Sequence, residues 1–288
     1  MDAMSHNESG LMPVVGLRLL EGRVGSTLLM QLLASSPEIV CDRRYPTGEY
    51  RYLSYCARVA GWMGTPFDSE RDVGVTEMLF GPADKGGPVP WHAESLSVER
   101  LGPRALQALW KACSEAFQEQ NPNANLYAEK LACGVEPIIE AEIPLQVIDV
   151  VRDPRDVVAS MIAFGERAGP WGFGRKPGER EADWISHLIE VFAVRLDTAL
   201  AARSSSAVLL RYEDFASDLH QTAQTLGSLL DVRLDADAAV RERANNHVTS
   251  ASVADSIGRW RRDLDRGIAD DIWRALQTRL ETLGYTAD

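Results

Sequence analysis

A glycine-containing turn follows the first apolar run of the sequence and carries groups suited to binding an anion. Within Leu19-Leu-Glu-Gly-Arg-Val-Gly-Ser-Thr-Leu-Leu29, Gly25 lies in a strand-to-helix turn, with Ser26 and Thr27 at the predicted helix start. Glycine lets the backbone approach a ligand closely, and the N–H groups and dipole of a first helical turn attract negative charge. Arg23 adds a guanidinium to the same turn. The segment predicts a phosphate-binding turn; the alternative is a helix that is merely capped by Ser26 or Thr27.

A second basic group follows a later apolar run. Leu145–Val151 leads into Arg152, and the pair Asp153-Pro154 is typical of a helix start. Ser160 lies seven residues after Asp153 and so returns to nearly the same helix face. Open α/β sheets bind ligands at the carboxyl ends of their strands. Arg152 and Ser160 are therefore predicted to converge on one anion; the alternative is a surface Arg–Asp pair and a neutral serine.

The elements that must position these residues alternate along the chain. Strands are predicted at Val14–Leu20, Leu126–Lys130, Leu145–Val151 and Ala207–Arg211. Helices are predicted at Ser26–Ala34, Tyr50–Ala60, Pro103–Glu119, Asp183–Ala202, Ser217–Leu230 and Ala269–Leu283. This alternation favours an α/β fold with a mostly parallel central sheet flanked by helices. We predict a single domain over residues 1–288, in which residues 1–12 form a disordered tail.

Composition excludes several classes of partner. The chain has 288 residues, 45% of them hydrophobic, and a net charge of −12, which argues against a nucleic-acid or anionic-membrane surface. The four cysteines include no C-x-x-C pair and predict reduced thiols without a metal site. No apolar run is long enough to span a membrane and no signal peptide is visible, so we expect a cytoplasmic protein. The sequence carries no signal of an oligomeric state.

Two further segments make the pattern specific. With Ala207-Val-Leu-Leu-Arg-Tyr-Glu-Asp-Phe215 and Ser256-Ile-Gly-Arg-Trp-Arg261, the two basic sites resemble sulfotransferases that use 3′-phosphoadenosine-5′-phosphosulfate (PAPS). The resemblance is closest to the bacterial and carbohydrate-type branch, with its Arg-x-Gly-Ser-Thr loop, and runs from about residue 14 to residue 262. It implies a P-loop-NTPase-like fold, with PAPS as co-substrate and no metal. It also implies in-line transfer of the sulfuryl group to a hydroxyl of a sugar, lipid or small metabolite.

The resemblance also assigns residues to the nucleotide. Those implied to hold the 5′-phosphosulfate are Arg23, Val24, Gly25, Ser26, Thr27 and Leu28. The resemblance implies that Arg152 and Ser160 bind the 3′-phosphate and that Tyr212 lies near the adenine. The loop implied to close over the nucleotide contains Gly258, Arg259 and Trp260, and this closure could bring Arg259 or Arg261 to the 3′-phosphate.

Sulfuryl transfer also needs stabilisation of the leaving phosphate and a base for the acceptor hydroxyl. Arg23 is the first candidate for the charge stabilisation and Lys130 the second, although Lys130 could equally be a solvated lysine. In the bacterial relatives a glutamate serves as base, and Glu49 looks like its counterpart; the alternative is a glutamate that complements a helix dipole. Lesser candidates for the base are His92, His187, His247 and Glu129.

Two other classes of function stay open. A P-loop nucleotide or small-molecule kinase would bind ATP with magnesium, but its loop needs a glycine at Leu20 and a lysine at Ser26. A non-catalytic protein that kept the nucleotide fold would bind the nucleotide without forming a sulfated product.

Overall fold

A parallel five-stranded sheet runs through the part of the chain that the structure describes. The computed structural model describes residues 10–41, 51–63, 101–168, 175–176, 178–202, 207–241, 249–250 and 252–288. The strands are β1 (Val14–Leu19), β2 (Ile39–Val40), β3 (Leu126–Lys130), β4 (Leu145–Val151) and β5 (Val208–Arg211). Their order is β2-β3-β1-β4-β5, and every neighbouring pair is parallel. The carboxyl ends of β1, β3 and β4 therefore meet at one edge of the sheet.

Helices surround this sheet. In chain order they are α1 (Ser26–Ala34), α2 (Tyr52–Met63), α3 (Leu101–Gln120), α4 (Glu136–Glu140), α5 (Pro154–Ala168), α6 (Glu181–Ala202), α7 (Tyr212–Ser217), α8 (Leu219–Leu230), α9 (Ala236–Arg241), α10 (Trp260–Asp263) and α11 (Arg266–Thr282). A short 3₁₀ helix (Ala254–Ser256) precedes α10. The predicted fold class, a parallel sheet flanked by helices, is confirmed.

Successive side chains of a strand point to opposite faces of the sheet, and the two faces pack in two separate hydrophobic cores. Val15 and Leu17 of β1 are fully buried in the larger core, which includes residues of α1, α5, α6, α8 and α11. Val14 and Tyr127 point to the opposite face and pack with α2, α3 and α4. The sheet is thus covered on both faces, which explains why β1 and β4 are nearly continuous apolar runs.

The structure agrees with most of the predicted boundaries and corrects some. The bounds of α1, β3 and β4 are those predicted. The predicted helix Ser217–Leu230 begins two residues later, as α8 (Leu219–Leu230), because Asp218 leaves the helical conformation at φ −140°. The Asp218 side chain accepts a hydrogen bond from the Gln221 backbone N–H and so caps α8. Among the described residues, β2, α4, α7, α9 and α10 were not predicted.

The predicted N-terminal tail ends earlier than residue 12. Leu11 and Met12 are buried in the smaller core, contrary to the prediction of disorder over residues 1–12. The Met12 carbonyl accepts a hydrogen bond from Trp110 Nε1 at 2.9 Å, and its N–H donates to Ser114 Oγ at 3.0 Å. Residues 1–9 lie outside the described residues.

The helices and the cysteines of the described ranges show two further properties. None of the helices in these ranges combines the length and the apolar character needed to cross a bilayer. All four cysteines are free thiols.

The larger core makes a prediction for stability. Phe192 on α6 is fully buried in this core, so Phe192→Ala should lower the free energy of unfolding by about 3–5 kcal/mol. Val194 lies on the same helix but is 66% exposed, and Val194→Ala should change stability by at most ~0.5 kcal/mol. Urea unfolding followed by circular dichroism measures both values. Similar losses for the two variants would contradict the assigned core face of α6.

Candidate functional site

A cleft of about 720 Å³ opens at the carboxyl ends of β1, β3 and β4. This is the edge at which parallel α/β sheets bind ligands, and the volume suits a small molecule. Among the described residues that line it, the basic ones outnumber the acidic ones by six to two: Arg18, Arg23, Arg51, Lys130, Arg152 and Arg195 against Glu21 and Asp149. The cleft therefore concentrates positive charge in a chain whose net charge is −12.

The turn between β1 and α1 forms one wall of the cleft. Gly25 is the residue before the helix, at φ 81°, and no side chain caps the first turn. The alternative of a helix capped by Ser26 or Thr27 is therefore not observed. A Cβ atom at Gly25 would lie 2.4 Å from the Tyr212 ring, so only glycine fits between this turn and β5–α7.

Arg23 has an unusual backbone conformation for a residue other than glycine. Its φ is 68°, in the left-handed region, which costs free energy and persists only where the surroundings impose it. Its carbonyl accepts a hydrogen bond from Arg152 Nη1 at 2.9 Å. Its guanidinium donates to Ser160 Oγ at 3.2 Å and to Thr249 Oγ1 at 3.3 Å, and it lies 4.6 Å from the centre of the Phe164 ring. These contacts hold the turn in place.

Arg152 leaves β4 and reaches the same turn. It is 3% exposed, and besides Arg23 it donates to the Ser256 carbonyl. Its guanidinium carbon lies 4.3 Å from the centre of the Tyr212 ring, a cation–π contact. The Nε atom is buried and has no hydrogen-bond partner in the described part of the chain. Arg152 and Ser160 both line the cleft beside Arg23, and their joint binding of one anion stays a prediction.

Like charges are crowded at this point. Burial, together with the positive charges of Arg152 and Arg259, lowers the pKa of Arg23 to about 10. Arg152 lies 4.0 Å from the Asp156 carboxylate, and the guanidinium groups of Arg23 and Arg152 also donate to neutral carbonyl or hydroxyl oxygens. A bound anion would relieve this repulsion, because ionised acceptors make stronger bonds to guanidinium groups than neutral ones do.

Thr249 and Ser256 complete this wall and were missed by the sequence reasoning. The Thr249 hydroxyl contacts Arg23, Ser160 and Arg259, while the Ser256 hydroxyl is 2.6 Å from Tyr212 Oη. Ser256 begins the segment used for the family resemblance, so its position next to Gly258 was a signal that could have found it.

The segment Gly258–Trp260 lies behind the cleft wall. Asp156 in the first turn of α5 accepts hydrogen bonds from the backbone N–H groups of Gly258 (2.7 Å) and Trp260 (2.9 Å). Burial raises the pKa of Asp156, and the charge of Arg152 opposes this rise. Gly258 needs its glycine, since its φ is 66°. These three residues were expected to belong to a loop that closes over the nucleotide, but none of them lines the cleft. Thr249 and Ser256, which precede them, line it instead.

Two basic residues flank the Trp260 ring. The guanidinium carbon of Arg155 lies 3.9 Å from the centre of this ring, and that of Arg261 lies at 4.5 Å. Arg155 also stacks on Trp273 and donates to the carbonyls of Thr286 and Ala287. Arg261 therefore does not reach the cleft, whereas Arg259 reaches it through Thr249 at 2.9 Å.

Lys130 and Glu129 end β3 in different environments. Lys130 lines the cleft although it is only 3% exposed, so it is not a solvated lysine. Glu129 is fully buried and does not line the cleft; it accepts hydrogen bonds from the backbone N–H groups of Leu53 and Ser54 at the start of α2. Burial raises its pKa, against the hydrogen bonds that it accepts. A base must contact the acceptor hydroxyl in the cleft, and the buried position of Glu129 does not allow this contact.

An ion pair on the cleft wall was not predicted. Arg18 near the end of β1 makes two hydrogen bonds, at 2.5 and 2.8 Å, with Asp149 of the neighbouring β4. Both residues line the cleft, and their charges in two otherwise apolar strands were the signal. Because Asp149 neutralises Arg18, the excess positive charge is concentrated toward Arg23, Arg152 and Lys130.

The candidate bases are mostly outside the described residues. Glu49, His92 and His247 all lie there, so their roles stay predictions. His187 is exposed on α6 and does not line the cleft. Within the ranges that the structure describes, no cluster of His, Cys, Asp and Glu side chains could hold a metal ion.

The chain is similar in sequence to known proteins. The model of the family described as the sulfotransferase family matches residues 21–236. Carbohydrate sulfotransferase 1 of Mus musculus is 27% identical over 164 residues, and that of Homo sapiens is 28% identical over 165 residues. Each alignment covers 51% of this chain and 40% of the relative, so the chain spans less than half the length of these curated relatives.

A solved structure supports the fold. The sulfotransferase domain from the curacin biosynthetic pathway superposes with a TM-score of 0.51 at 17% identity, and the match covers 96% of this chain and 99% of that domain. The parallel sheet with flanking helices is thus shared over nearly the whole chain. With the family model matching well over half of its residues, this chain belongs to the sulfotransferase family.

Proposed function

We propose that this protein transfers the sulfuryl group of PAPS to a hydroxyl group of a carbohydrate, lipid or other small molecule. The observation that carries the proposal is the crowding of Arg23 and Arg152, which lie hydrogen-bonded to each other in one cleft of an acidic chain. A donor with phosphate groups at both its 3′ and 5′ positions would bring an anionic group to each of these guanidinium groups. Its co-product, 3′,5′-bisphosphoadenosine (PAP), keeps both groups and serves as a stable probe.

The two ends of the donor have different partners in this proposal. The turn Arg23–Leu28 and the N-terminus of α1 receive the 5′-phosphosulfate, because the first turn of that helix has no side-chain cap. Arg152 and Ser160 receive the 3′-phosphate, and the Nε of Arg152, which has no hydrogen-bond partner among the described residues, is a donor for it. Tyr212, 6% exposed and on the same wall, supplies an aromatic surface beside the adenine.

The chemical step follows from these positions. The acceptor oxygen attacks sulfur, the bond from sulfur to the bridging phosphate oxygen breaks, and negative charge develops on the leaving phosphate. Arg23, Lys130 and the N-terminus of α1 stabilise that charge without the protein moving to meet it. Glu49 accepts the proton of the acceptor hydroxyl. A metal is not required by this scheme, because cationic side chains do the stabilising.

The names of the curated relatives bear on the class of acceptor. The curated relatives are named carbohydrate sulfotransferases, which supports a carbohydrate hydroxyl. Lys130 ends β3, which lies on the opposite side of β1 from β4 and Arg152, and we place the acceptor at this side of the cleft.

The assignment of the 3′-phosphate predicts a selective loss of nucleotide binding. PAP at about 100 times its Kd should stabilise the wild-type protein by about 2.7 kcal/mol, a rise in Tm of about 5 °C. Adenosine 5′-monophosphate, which lacks the 3′-phosphate, should give a clearly smaller rise. Arg152→Ala should remove most of the difference between the two nucleotides, because a charged hydrogen bond contributes about 1.5–3 kcal/mol. Differential scanning fluorimetry measures both shifts.

The control removes an arginine that does not line the cleft. Arg274 on α11 is exposed and paired with Asp271, so Arg274→Ala should keep the full preference for PAP. Each shift is taken from the variant's own Tm without ligand, which separates lost binding from lost stability. Equal PAP shifts in the wild type and Arg152→Ala would refute the 3′-phosphate site.

The proposed base predicts a loss of turnover without a loss of donor binding. Glu49→Gln keeps the size of the side chain but cannot accept the proton, so the rate should fall by about 10²–10⁴-fold. The Tm rise with PAP should stay close to that of the wild type. Turnover is measured by mass spectrometry of sulfated products from a carbohydrate and cell-extract panel incubated with isotopically labelled PAPS.

Glu115→Gln on the exposed face of α3 is the matched control and should keep wild-type turnover. Unchanged turnover in Glu49→Gln would eliminate this residue as the base. PAP binding by the wild type with no sulfated product in the whole panel would favour a nucleotide-binding protein without catalysis.

A further inference from the structure

Two cysteines on neighbouring helices are in contact away from the cleft. Cys56 on α2 and Cys113 on α3 place their Sγ atoms 3.9 Å apart. Both belong to the smaller core, where Cys56 is 6% exposed and Cys113 is partly exposed. We propose that Cys56 and Cys113 are an oxidisable dithiol, which peroxides convert to a disulfide that joins α2 to α3.

The geometry favours this bond. A disulfide has an S–S length of about 2.05 Å, so the two sulfur atoms must approach by roughly 1.9 Å. Side-chain rotation with a small shift of the helices supplies such a movement. The helices already pack together through Leu53, Ala57 and Ala60 of α2 and Leu106 and Trp110 of α3, which keeps the two thiols facing each other.

The two thiols differ in a way that assigns their roles. The hydrogen bond from Cys56 lowers the pKa of Cys113 to about 7, and Cys113 is the more exposed of the two. The same hydrogen bond and burial raise the pKa of Cys56. Thiolates are the reactive form, so Cys113 is the residue that meets the oxidant and Cys56 is the resolving thiol.

The reaction balances with one peroxide. The Cys113 thiolate attacks one oxygen of hydrogen peroxide and the O–O bond breaks, which gives a sulfenic acid. The departing hydroxide takes up the proton that the Cys113 thiol had released and becomes the first water. Cys56 Sγ then attacks the Cys113 sulfur, the S–O bond breaks, and a second water leaves with the proton of Cys56. Two thiols and one hydrogen peroxide thus become one disulfide and two waters, each sulfur losing one electron.

The disulfide would restrain α2, the helix that directly follows a cleft residue. Arg51, directly before α2, lines the cleft, and the first turn of α2 is held to β3 through Glu129. Cys56 lies one turn further along this helix. The disulfide would therefore fasten to α3 the helix that follows Arg51.

The test uses the full chain and hydrogen peroxide under native conditions. After oxidation the remaining thiols are alkylated, and the protein is digested without reduction and analysed by mass spectrometry. We expect a linked pair of peptides containing Cys56 and Cys113, with Cys41 and Cys133 alkylated. The Tm should rise by roughly 5 °C, because the bond closes a long loop, and dithiothreitol should reverse the rise.

Single variants test the order of the steps. In Cys56→Ser the oxidation should stop at the Cys113 sulfenic acid, which dimedone traps, whereas in Cys113→Ser dimedone should label neither position. The double variant Cys41→Ser/Cys133→Ser is the control and should keep the linked peptides; Cys133 has a pKa that burial raises and should react slowly.

Alkylation of both Cys56 and Cys113 after oxidation, or a disulfide that contains Cys41 or Cys133, would overturn the proposal. The readout needs no nucleotide or acceptor, so it is independent of the proposed sulfuryl transfer.

Discussion

Repulsion among buried guanidinium groups is the constraint on which the cleft depends. Arg23, Arg152 and Arg259 lie close enough for their charges to lower the pKa of Arg23. Of these, Arg259 pairs with Asp263 at 2.8 Å, and Arg152 pairs more loosely with Asp156 at 4.0 Å. An arrangement of this kind is unfavourable by itself and becomes favourable when a polyanion is bound. The folded chain must therefore supply the free energy that holds these groups together.

Buried carboxylates behind the cleft hold the surrounding backbone. Asp156 accepts hydrogen bonds from Gly258 and Trp260, and Glu213 accepts them from the Asp153 backbone N–H and Tyr285 Oη. Burial raises the pKa of both carboxyl groups. They connect the end of β4, the start of α7 and the C-terminal segments, so the position of Arg152 is set by contacts from several parts of the chain.

The sequence predicted the elements with the strongest local signals. β4 is an apolar run that ends at Arg152 and Asp153-Pro154, and its bounds and the following helix start are confirmed. The helix α7 was missed because its six residues are too few to show the apolar period of a helix. Thr249 contacts Arg23 across 226 positions, a pairing that no local pattern encodes. Arg23, Arg152, Ser160 and Tyr212 do line one cleft, whereas the proposed role of Glu49 rests on the resemblance alone.

Arg155 links the C-terminal residues to the helix that carries Ser160. It is fully buried, lies between the Trp260 and Trp273 rings, and donates to the carbonyls of Thr286 and Ala287. Trimming these last residues would take two acceptors from a cation with no access to water and would loosen the aromatic sandwich around Trp260. Because both acceptors are backbone carbonyls, substitutions at Thr286 and Ala287 would keep them, whereas deletion of these residues would remove them.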